Sequence, residues 1–234
     1  MDKIVELTGV KKDYGQAEVV VHALRGIDLQ LGAGEFTTVA GPSGSGKSTL
    51  LNIIGGLDRP SSGSVAVAGQ DIGNLGRGAL SRLRLERIGF VFQSYNLLPV
   101  LTAYENAEYV LLLRGVPAAE RRRQVMAILQ EVGLAGMENR FPRELSGGQQ
   151  QRVAIARAIV AEPALVLADE PTANVDSETA EALLDLMDKL NRERGVTFLF
   201  STHDRRVMRR ARRLIQLVDG RIERDGPPDW LEEK

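Results

Sequence analysis

Residues 1–40 alternate between apolar and polar side chains, the pattern of β-strands that bury one face and expose the other. Turns at Gly15 and at 32–34 separate the alternating stretches, and a further stretch at 64–68 precedes a turn at Gly69. We therefore predict an N-terminal antiparallel β-subdomain. Its apolar positions are Ile4, Val5, Leu7, Ile27, Leu29 and Leu31.

Three other stretches are apolar or β-branched without alternation, at residues 36–40, 165–168 and 196–200. Such runs are typical of a parallel sheet that is covered on both faces. Residues 178–194 instead carry apolar side chains at helical spacing and stop at Gly195. The sequence therefore predicts an α/β fold with a central parallel sheet, followed by a hairpin whose turn is Asp219-Gly220.

The segment 94–160 has a different character, with helical periodicity at 120–132 that Gly133 interrupts. Ser146 then precedes a second helical stripe of apolar residues and is placed to cap that helix. We interpret 94–160 as a helical subdomain inserted in the core. The whole of 1–226 is then predicted to be one domain, with 227–234 as a loose C-terminal tail.

Residues 41–48 match the phosphate-loop pattern G-x-x-x-x-G-K-S/T in full, between the predicted strand 36–40 and a helix that opens at 49. Glycines let backbone N–H groups turn toward phosphate oxygens, and a helix N-terminus adds a positive dipole end. We predict that Lys47 bridges the β- and γ-phosphates of a nucleotide and that the Ser48 hydroxyl ligates Mg²⁺. The predicted binding residues are Gly41, Pro42, Ser43, Gly44, Ser45, Gly46, Lys47, Ser48 and Thr49.

The apolar run 165–168 ends abruptly in two carboxylates, Asp169 and Glu170. Ligands of α/β proteins bind at the carboxyl ends of the strands, so this is the place for groups that act on a bound nucleotide. We predict that Asp169 holds Mg²⁺, directly or through water, and that Glu170 orients or deprotonates the attacking water. The alternative is a surface Asp-Glu pair that caps a helix.

Residues 145–149 read LSGGQ and lie between the phosphate loop and the acidic strand end in the chain. Ser146 and the backbone N–H groups of Gly147 and Gly148, at the start of a helix, form a second predicted anion site, with Gln149 as a further contact. A phosphate loop alone indicates only that a nucleotide binds. The added LSGGQ segment indicates one particular class of ATPase among the proteins that carry a phosphate loop.

With these motifs in this order, the chain resembles the nucleotide-binding subunits of ABC transporters from about residue 2 to about 226. The resemblance implies that Tyr14 stacks on adenine, that Gln93 of the Q-loop contacts Mg²⁺ and the attacking water, and that His203 is the switch residue that senses the γ-phosphate. Asp176 matches the D-loop aspartate, although Ala173 and Val175 stand where many relatives carry Gly and Leu. The family pattern thus assigns catalysis to Glu170, His203, Gln93 and Lys47.

The resemblance also implies two kinds of partner. One is a second copy of this chain, arranged head to tail so that Lys47 of one subunit and Ser146 of the other touch the same ATP. The other is a separate membrane permease, received in a groove near the Q-loop and the helical subdomain. The apolar segment 94–101 is the candidate contact there, although Leu97, Leu98 and Leu101 could instead fill the subdomain's own core.

The amino-acid sequences of residues 92–99 and 145–152 are most similar to those of the lipoprotein-release and macrolide-export branch of these ATPases. The alternative is a cell-division ATPase that acts on a septal membrane partner without transport. DNA-repair ATPases carry a long coiled coil inside the head, and translation factors carry two cassettes, neither of which is found here. A small-molecule P-loop kinase is disfavoured by LSGGQ. The cargo is a property of the partner.

Composition agrees with a globular protein, since 43% of residues are hydrophobic and 26% are charged. A net charge of −1 creates no general attraction for nucleic acid, and the absence of cysteine rules out disulfides and thiolate metal sites. No signal peptide or run of 18 apolar residues is visible, so we expect a peripheral protein on the cytoplasmic face of the inner membrane. Arginines at 205–213 form a cluster that either touches anionic lipid or an acidic loop, or is a solvated helix face.

Overall fold

A computed structural model describes residues 3–15 and 20–232 of the chain. Its strands are β1 (Lys3–Tyr14), β2 (Val21–Gly32), β3 (Phe36–Ala40), β4 (Ser62–Val67), β5 (Gln70–Asp71), β6 (Ile88–Phe92), β7 (Leu165–Asp169), β8 (Phe198–Thr202), β9 (Arg213–Val218) and β10 (Arg221–Gly226). Its α-helices are α1 (Lys47–Ile54), α2 (Arg77–Arg87), α3 (Ala103–Leu113), α4 (Ala118–Glu131), α5 (Gly147–Ile159), α6 (Ser177–Arg194) and α7 (Arg205–Arg210), with short 3₁₀ helices at Pro142–Glu144 and Pro228–Glu232.

The alternating N-terminal residues form an antiparallel sheet with strand order β2-β1-β4-β5, which confirms the predicted β-subdomain. Its apolar residues Val5, Leu7, Ile27, Leu29 and Leu31 are buried in one core cluster with residues of α1 and the second sheet, and the partly buried Ile4 packs against that cluster. Because side chains alternate between the two faces of a strand, one apolar face of this sheet is enough to hold it against the core.

The second sheet has the order β10-β9-β3-β8-β7-β6, in which β9, β3, β8, β7 and β6 run parallel and β10 returns antiparallel through the predicted hairpin. Every residue of β3 and β8 is buried, and so are the first four of β7, as expected for strands covered on both faces. The register pairs Ala40 with Thr202, Ser201 with Asp169, and Asp169 with Phe92. Four strand ends therefore meet at one edge, and the predicted α/β fold is confirmed.

Helices α3, α4 and α5 form the helical part of the molecule, and their apolar side chains share one core with the parallel sheet. A capping box of Thr102 and Glu105 starts α3. At the other side, α5 lies so close to β6 that a Cβ on Gly89 would stand 2.4 Å from the Ala158 carbonyl oxygen. This close approach attaches α5 firmly to the sheet; the limits 94–160 of an inserted subdomain stay a prediction.

The arginine cluster 205–213 is mostly engaged in ion pairs within the molecule. Arg206 pairs with Asp204, and Arg210 pairs with acidic residues of α6. Arg212 and Arg213 pair with Asp188 and with Asp225, respectively. These contacts tie α7 and β9 to α6 and β10, so their charges are neutralised locally and contribute little to a basic surface.

Residues 228–232 differ from the loose tail that the two prolines suggested. They form a 3₁₀ turn in which the Trp230 ring lies 5.7 Å from the Arg224 guanidinium carbon. A half-buried aromatic ring is the physical reason, because it gives the segment an apolar anchor. Within 3–15 and 20–232, no helix has the length and apolar character that crossing a membrane requires.

Candidate nucleotide site

The phosphate loop follows the carboxyl end of β3 and leads directly into α1. Two of its glycines are required by close backbone approaches: a Cβ on Gly41 would lie 2.0 Å from the Leu217 carbonyl oxygen, and one on Gly46 would lie 2.5 Å from that of Ala23. Gly46 also has φ of 101°, a conformation that favours glycine. The loop is therefore pressed against β9 and β2, while Pro42, Ser43 and Gly44 face solvent as an open cradle.

Lys47 is 8% exposed, and its ammonium donates to the carbonyl oxygens of Gly41 at 2.8 Å and Pro42 at 2.9 Å. Burial lowers the pKa of Lys47, and the carboxylates of Glu170 and Asp169 oppose that shift. Among the residues that the structure describes, only these neutral carbonyls contact the buried ammonium, so a phosphate would supply the anion that it lacks.

Ser48, in the first turn of α1, and Asp169, the last residue of β7, meet at the edge of the sheet, where the Ser48 hydroxyl donates to Asp169 Oδ1 at 3.2 Å. A hydroxyl and a carboxylate are the oxygen ligands that Mg²⁺ takes when a phosphate and water complete its shell. Within the described residues, no group of three or more His, Cys, Asp or Glu could hold a metal alone. The pair could hold Mg²⁺ that arrives with a nucleotide, and the metal role of Ser48 and Asp169 stays a prediction.

Glu170 has φ of 46°, which is strained for a residue with a side chain, and its own N–H donates to the Ser201 carbonyl oxygen at 2.8 Å. Its carboxylate accepts from the Thr202 hydroxyl at 2.8 Å and lies 2.6 Å from His203 Nδ1. The Glu170 side chain is 16% exposed and that of His203 is 72% exposed. The end of β7 thus turns Glu170 toward the end of β8, so the two predicted catalytic side chains are in contact.

Gln93 follows β6 at the same sheet edge, but its side chain is directed toward another loop. Its amide lies 3.4 Å from the side-chain oxygen of Asn174, while the Asn174 amide donates to the Gln93 carbonyl oxygen at 3.0 Å. Asp176 is the N-cap of α6, and its carboxylate accepts hydrogen bonds from the backbone N–H and the hydroxyl of Thr179. The bond from the N–H is the main cause of the lowered pKa of Asp176, and the bond from the hydroxyl adds to it. The structure joins Gln93 to the D-loop and uses Asp176 as a helix cap.

The LSGGQ segment forms the N-terminus of α5 through a capping box, in which Ser146 Oγ accepts from the Gln149 N–H and Gln149 Oε1 accepts from the Ser146 N–H. The Gln150 N–H donates to the Ser146 carbonyl oxygen at 2.8 Å. In the described part of the chain, the N–H groups of Gly147 and Gly148 then remain without an acceptor. A helix start with two free N–H groups and an exposed serine is suited to an anion.

Tyr14 lies at the end of β1, on the edge of the β-subdomain. Its hydroxyl donates to Asp58 at 2.7 Å, and the Lys12 ammonium stands 4.7 Å from the ring centroid. Burial and the Asp58 contact raise the pKa of the Tyr14 phenol. With 41% of the residue exposed, the ring is held in place and still accessible to a planar base.

Sequence reasoning did not single out the residues that connect these parts. Gln151 is fully buried, and its amide donates to the carbonyl oxygen of Pro171, next to Glu170. Arg157 of α5 donates to the carbonyl oxygens of Tyr95 and Asn96, just after Gln93. A Gln or Arg inside a charged helix carries no local signal of such contacts, because the partner atoms are backbone carbonyls distant in sequence.

The chain matches established proteins over most of its length. Residues 24–173 match the family described as ABC transporter. A lipoprotein-releasing system ATP-binding protein, LolD of Anaeromyxobacter dehalogenans, is 52% identical over 95% of this chain and 94% of its own length. A macrolide export ATP-binding/permease protein, MacB of Paracoccus denitrificans, is 47% identical over 95% of this chain, which spans only 33% of that longer protein.

Solved structures show the same fold. A dimeric ATP-binding cassette in a post-hydrolysis state, bound to ADP and Pi, is 44% identical, with a TM-score of 0.88 over 96% of this chain and 98% of that one. That protein binds its nucleotide as a dimer.

Lys47→Ala is expected to weaken ATP binding by about ten- to hundredfold, because a hydrogen bond from a charged donor contributes about 1.5–3 kcal/mol. Calorimetric titration with ATP measures the change. The matched control is Lys189→Ala, since Lys189 is exposed and its ion-pair contact with Glu193 is 3.9 Å long. Equal affinities for the two variants would show that Lys47 does not anchor the phosphates.

Proposed function

This chain belongs to the ABC transporter family, and from that premise we propose that it is the ATP-hydrolysing subunit that drives a separate membrane permease of the lipoprotein-release or export type. It is an ATPase of the LolD and MacB kind by similarity along nearly its whole length. The observation that carries the proposal is the meeting of Ser48, Asp169, Glu170 and His203 at one sheet edge.

The proposed chemistry assigns one task to each side chain. Lys47 binds phosphate, and Ser48 with Asp169 would hold Mg²⁺, which when bound neutralises charge on the phosphates. Glu170 receives or orients the proton of the attacking water, since its carboxylate is the basic group at the end of β7. His203 lies on Glu170 and is exposed, so it is placed to contact the γ-phosphate. Gln93 would join this group by leaving Asn174.

We further propose that two copies of the chain complete each site. Ser146 and Gly147 form an anion site on α5, and the phosphate loop forms another on α1. A two-fold dimer with the copies head to tail would place the first of these opposite the second, twice. The dimeric relative with bound ADP and Pi supports this arrangement. ATP then stabilises the dimer as part of its interface, and hydrolysis releases it.

The membrane partner is proposed to bind a groove of 430 Å³ between α2, β6, α3 and the end of α5. Leu57 and Leu113, which line it, are 49% and 56% exposed and give the groove apolar surface that a partner could cover. Leu97 packs against the main core, whereas Leu98 is 40% exposed. The apolar segment after Gln93 therefore contributes both to the core of this chain and to the surface that a partner could contact. Docking there would hold the subunit at the cytoplasmic face of the inner membrane.

The charge of the groove predicts the chemistry of that partner. Arg84, Arg114 and Arg157 line it and donate to backbone carbonyls, and in the described residues none has a carboxylate within ion-pair distance. Burial lowers the pKa of Arg114 and of Arg157, and Glu86 and Glu162 offset only part of this for Arg114. We infer a docking segment with an apolar face and carboxylates beside it.

Glu170→Gln is expected to bind ATP with near-normal affinity and to hydrolyse it at least about a hundredfold more slowly, since a general base contributes about 10²–10⁴-fold. With ATP and Mg²⁺ it should elute from a sizing column as a stable dimer. Glu193→Gln, an exposed residue of α6, is the control and should behave as the parent chain. Near-normal turnover by Glu170→Gln would remove this carboxylate from catalysis.

Mixing two inactive variants tests the shared site. Lys47→Ala and Ser146→Arg should each lack activity, while their mixed dimer carries both lesions in one site and leaves the other site intact. At equal amounts, about a quarter of the parental rate should return, because half of the dimers are mixed and each has one intact site of two. No recovery at any ratio, with mixed dimers shown to form, would overturn the head-to-tail arrangement.

The groove is tested by two neighbouring leucines of α3. Leu113 lines the groove and Leu112 does not, although both are about half exposed. Leu113→Glu should weaken co-purification with a co-expressed membrane permease that binds the parent subunit by at least about tenfold, as loss of a central apolar contact does. ATPase activity of the isolated subunit should stay unchanged. Equal co-purification of Leu112→Glu and Leu113→Glu would exclude the groove as the docking site.

A further inference from the structure

The loop after Gln93 makes a strained turn that the nucleotide site alone does not require. Tyr95 and Asn96 have φ of 60° and 50°, and consecutive left-handed residues with side chains persist only when their surroundings hold them. Arg157 of α5 does so, donating to the Asn96 carbonyl oxygen at 2.6 Å and to that of Tyr95 at 3.0 Å. The turn is thus attached to the same helix whose N-terminus carries Ser146.

The turn places the Tyr95 phenol between two functional segments. Its hydroxyl donates to the Asn174 carbonyl oxygen at 3.0 Å, next to the D-loop. A Cβ on Gly147 would stand 2.8 Å from the same hydroxyl oxygen, so Tyr95 lies directly against the first glycine of the LSGGQ segment. Burial raises the pKa of the phenol, which stays protonated and able to donate at neutral pH.

The second glycine of LSGGQ has a different residue against it. A Cβ on Gly148 would lie 2.3 Å from Thr179 Cγ2, which belongs to α6. A larger side chain would therefore collide with Tyr95 at Gly147 and with Thr179 at Gly148. Tyr95 and Thr179 thus both pack against the start of α5.

We propose that Tyr95 is a positioning residue that sets where Ser146 and the Gly147 N–H stand relative to the D-loop, and so how well a second copy's ATP is bound. This rests on the two-chain site proposed above. Among the described residues the phenol contacts neither the phosphate loop nor the proposed catalytic carboxylate Glu170, so its loss is expected to act on dimer formation and to leave the chain's own ATP affinity intact.

The contact itself is tested by a double-mutant cycle on the thermal midpoint of the nucleotide-free chain. Gly147→Ala should lower the midpoint, and adding Tyr95→Phe should restore much of that loss, because the nearest remaining atom is then the Asn174 carbonyl oxygen at 3.4 Å. Gly148→Ala, blocked by Thr179, should gain nothing from Tyr95→Phe. If the losses in thermal midpoint of Gly147→Ala and Tyr95→Phe simply add in the double variant, the proposed contact is overturned.

The positioning role is tested in the Glu170→Gln background by sizing chromatography with ATP and Mg²⁺. Tyr95→Phe should raise the protein concentration for half-maximal dimer by about tenfold, while its ATP affinity in calorimetry changes by less than about twofold. Tyr109→Phe is the control, since this exposed tyrosine of α3 has no hydrogen bond from its hydroxyl within the described ranges.

Dimerisation of Tyr95→Phe equal to that of Tyr109→Phe would overturn the role assigned to Tyr95. Failure of the Glu170→Gln parent itself to dimerise would overturn the two-chain site, and this role with it. The cycle in the nucleotide-free chain separates these results, because it reports the contact of Tyr95 with Gly147 whether or not dimers form.

Discussion

The parallel register of β3, β8, β7 and β6 is the constraint on which the site depends. It pairs Ala40 with Thr202, and Asp169 with both Ser201 and Phe92, so the residues that follow each strand emerge at one level. A shift by one residue would reverse the direction of every side chain in a strand, sending Asp169 away from Ser48. The register is fixed because these strands are buried on both faces and are packed tightly, with Phe36, Phe198 and Phe200 in mutual contact.

Strain is located where the strands end, and it aims the chemical groups. Glu170 adopts φ of 46°, which directs its carboxylate along the sheet edge to Thr202 and His203 instead of continuing the alternation of β7. The cost of such a residue is about 1–3 kcal/mol, comparable with the hydrogen bonds that its N–H and carboxylate gain. The strained turn after Gln93 is likewise stabilised by hydrogen bonds, since Arg157 donates to two of its carbonyl oxygens.

Local patterns predicted the elements and the motif residues, because strands, helix caps and the phosphate loop each carry their signal within a few residues. The β-subdomain, the parallel sheet, the Ser146 cap and the turn at Asp219-Gly220 follow from such signals. Sequence could not show that Gln93 contacts Asn174, that Arg210 is ion-paired with acidic residues of α6, or that Gln151 reaches Pro171. Each of these contacts joins segments brought together only by the complete fold, and the family resemblance supplied the expected roles of Tyr14 and His203.

The described geometry explains why this fold is suited to work in pairs. The phosphate loop has a buried ammonium that contacts only neutral carbonyls, and the start of α5 has N–H groups without acceptors. Both are positive, and among the described residues neither has an anion in contact, so neither can supply one to the other. In the proposed two-chain site, an ATP between two copies would provide negative charge to both at once. Removal of its γ-phosphate would weaken the attraction on both sides, so hydrolysis would favour separation of the copies and a movement at the proposed groove beside Arg157.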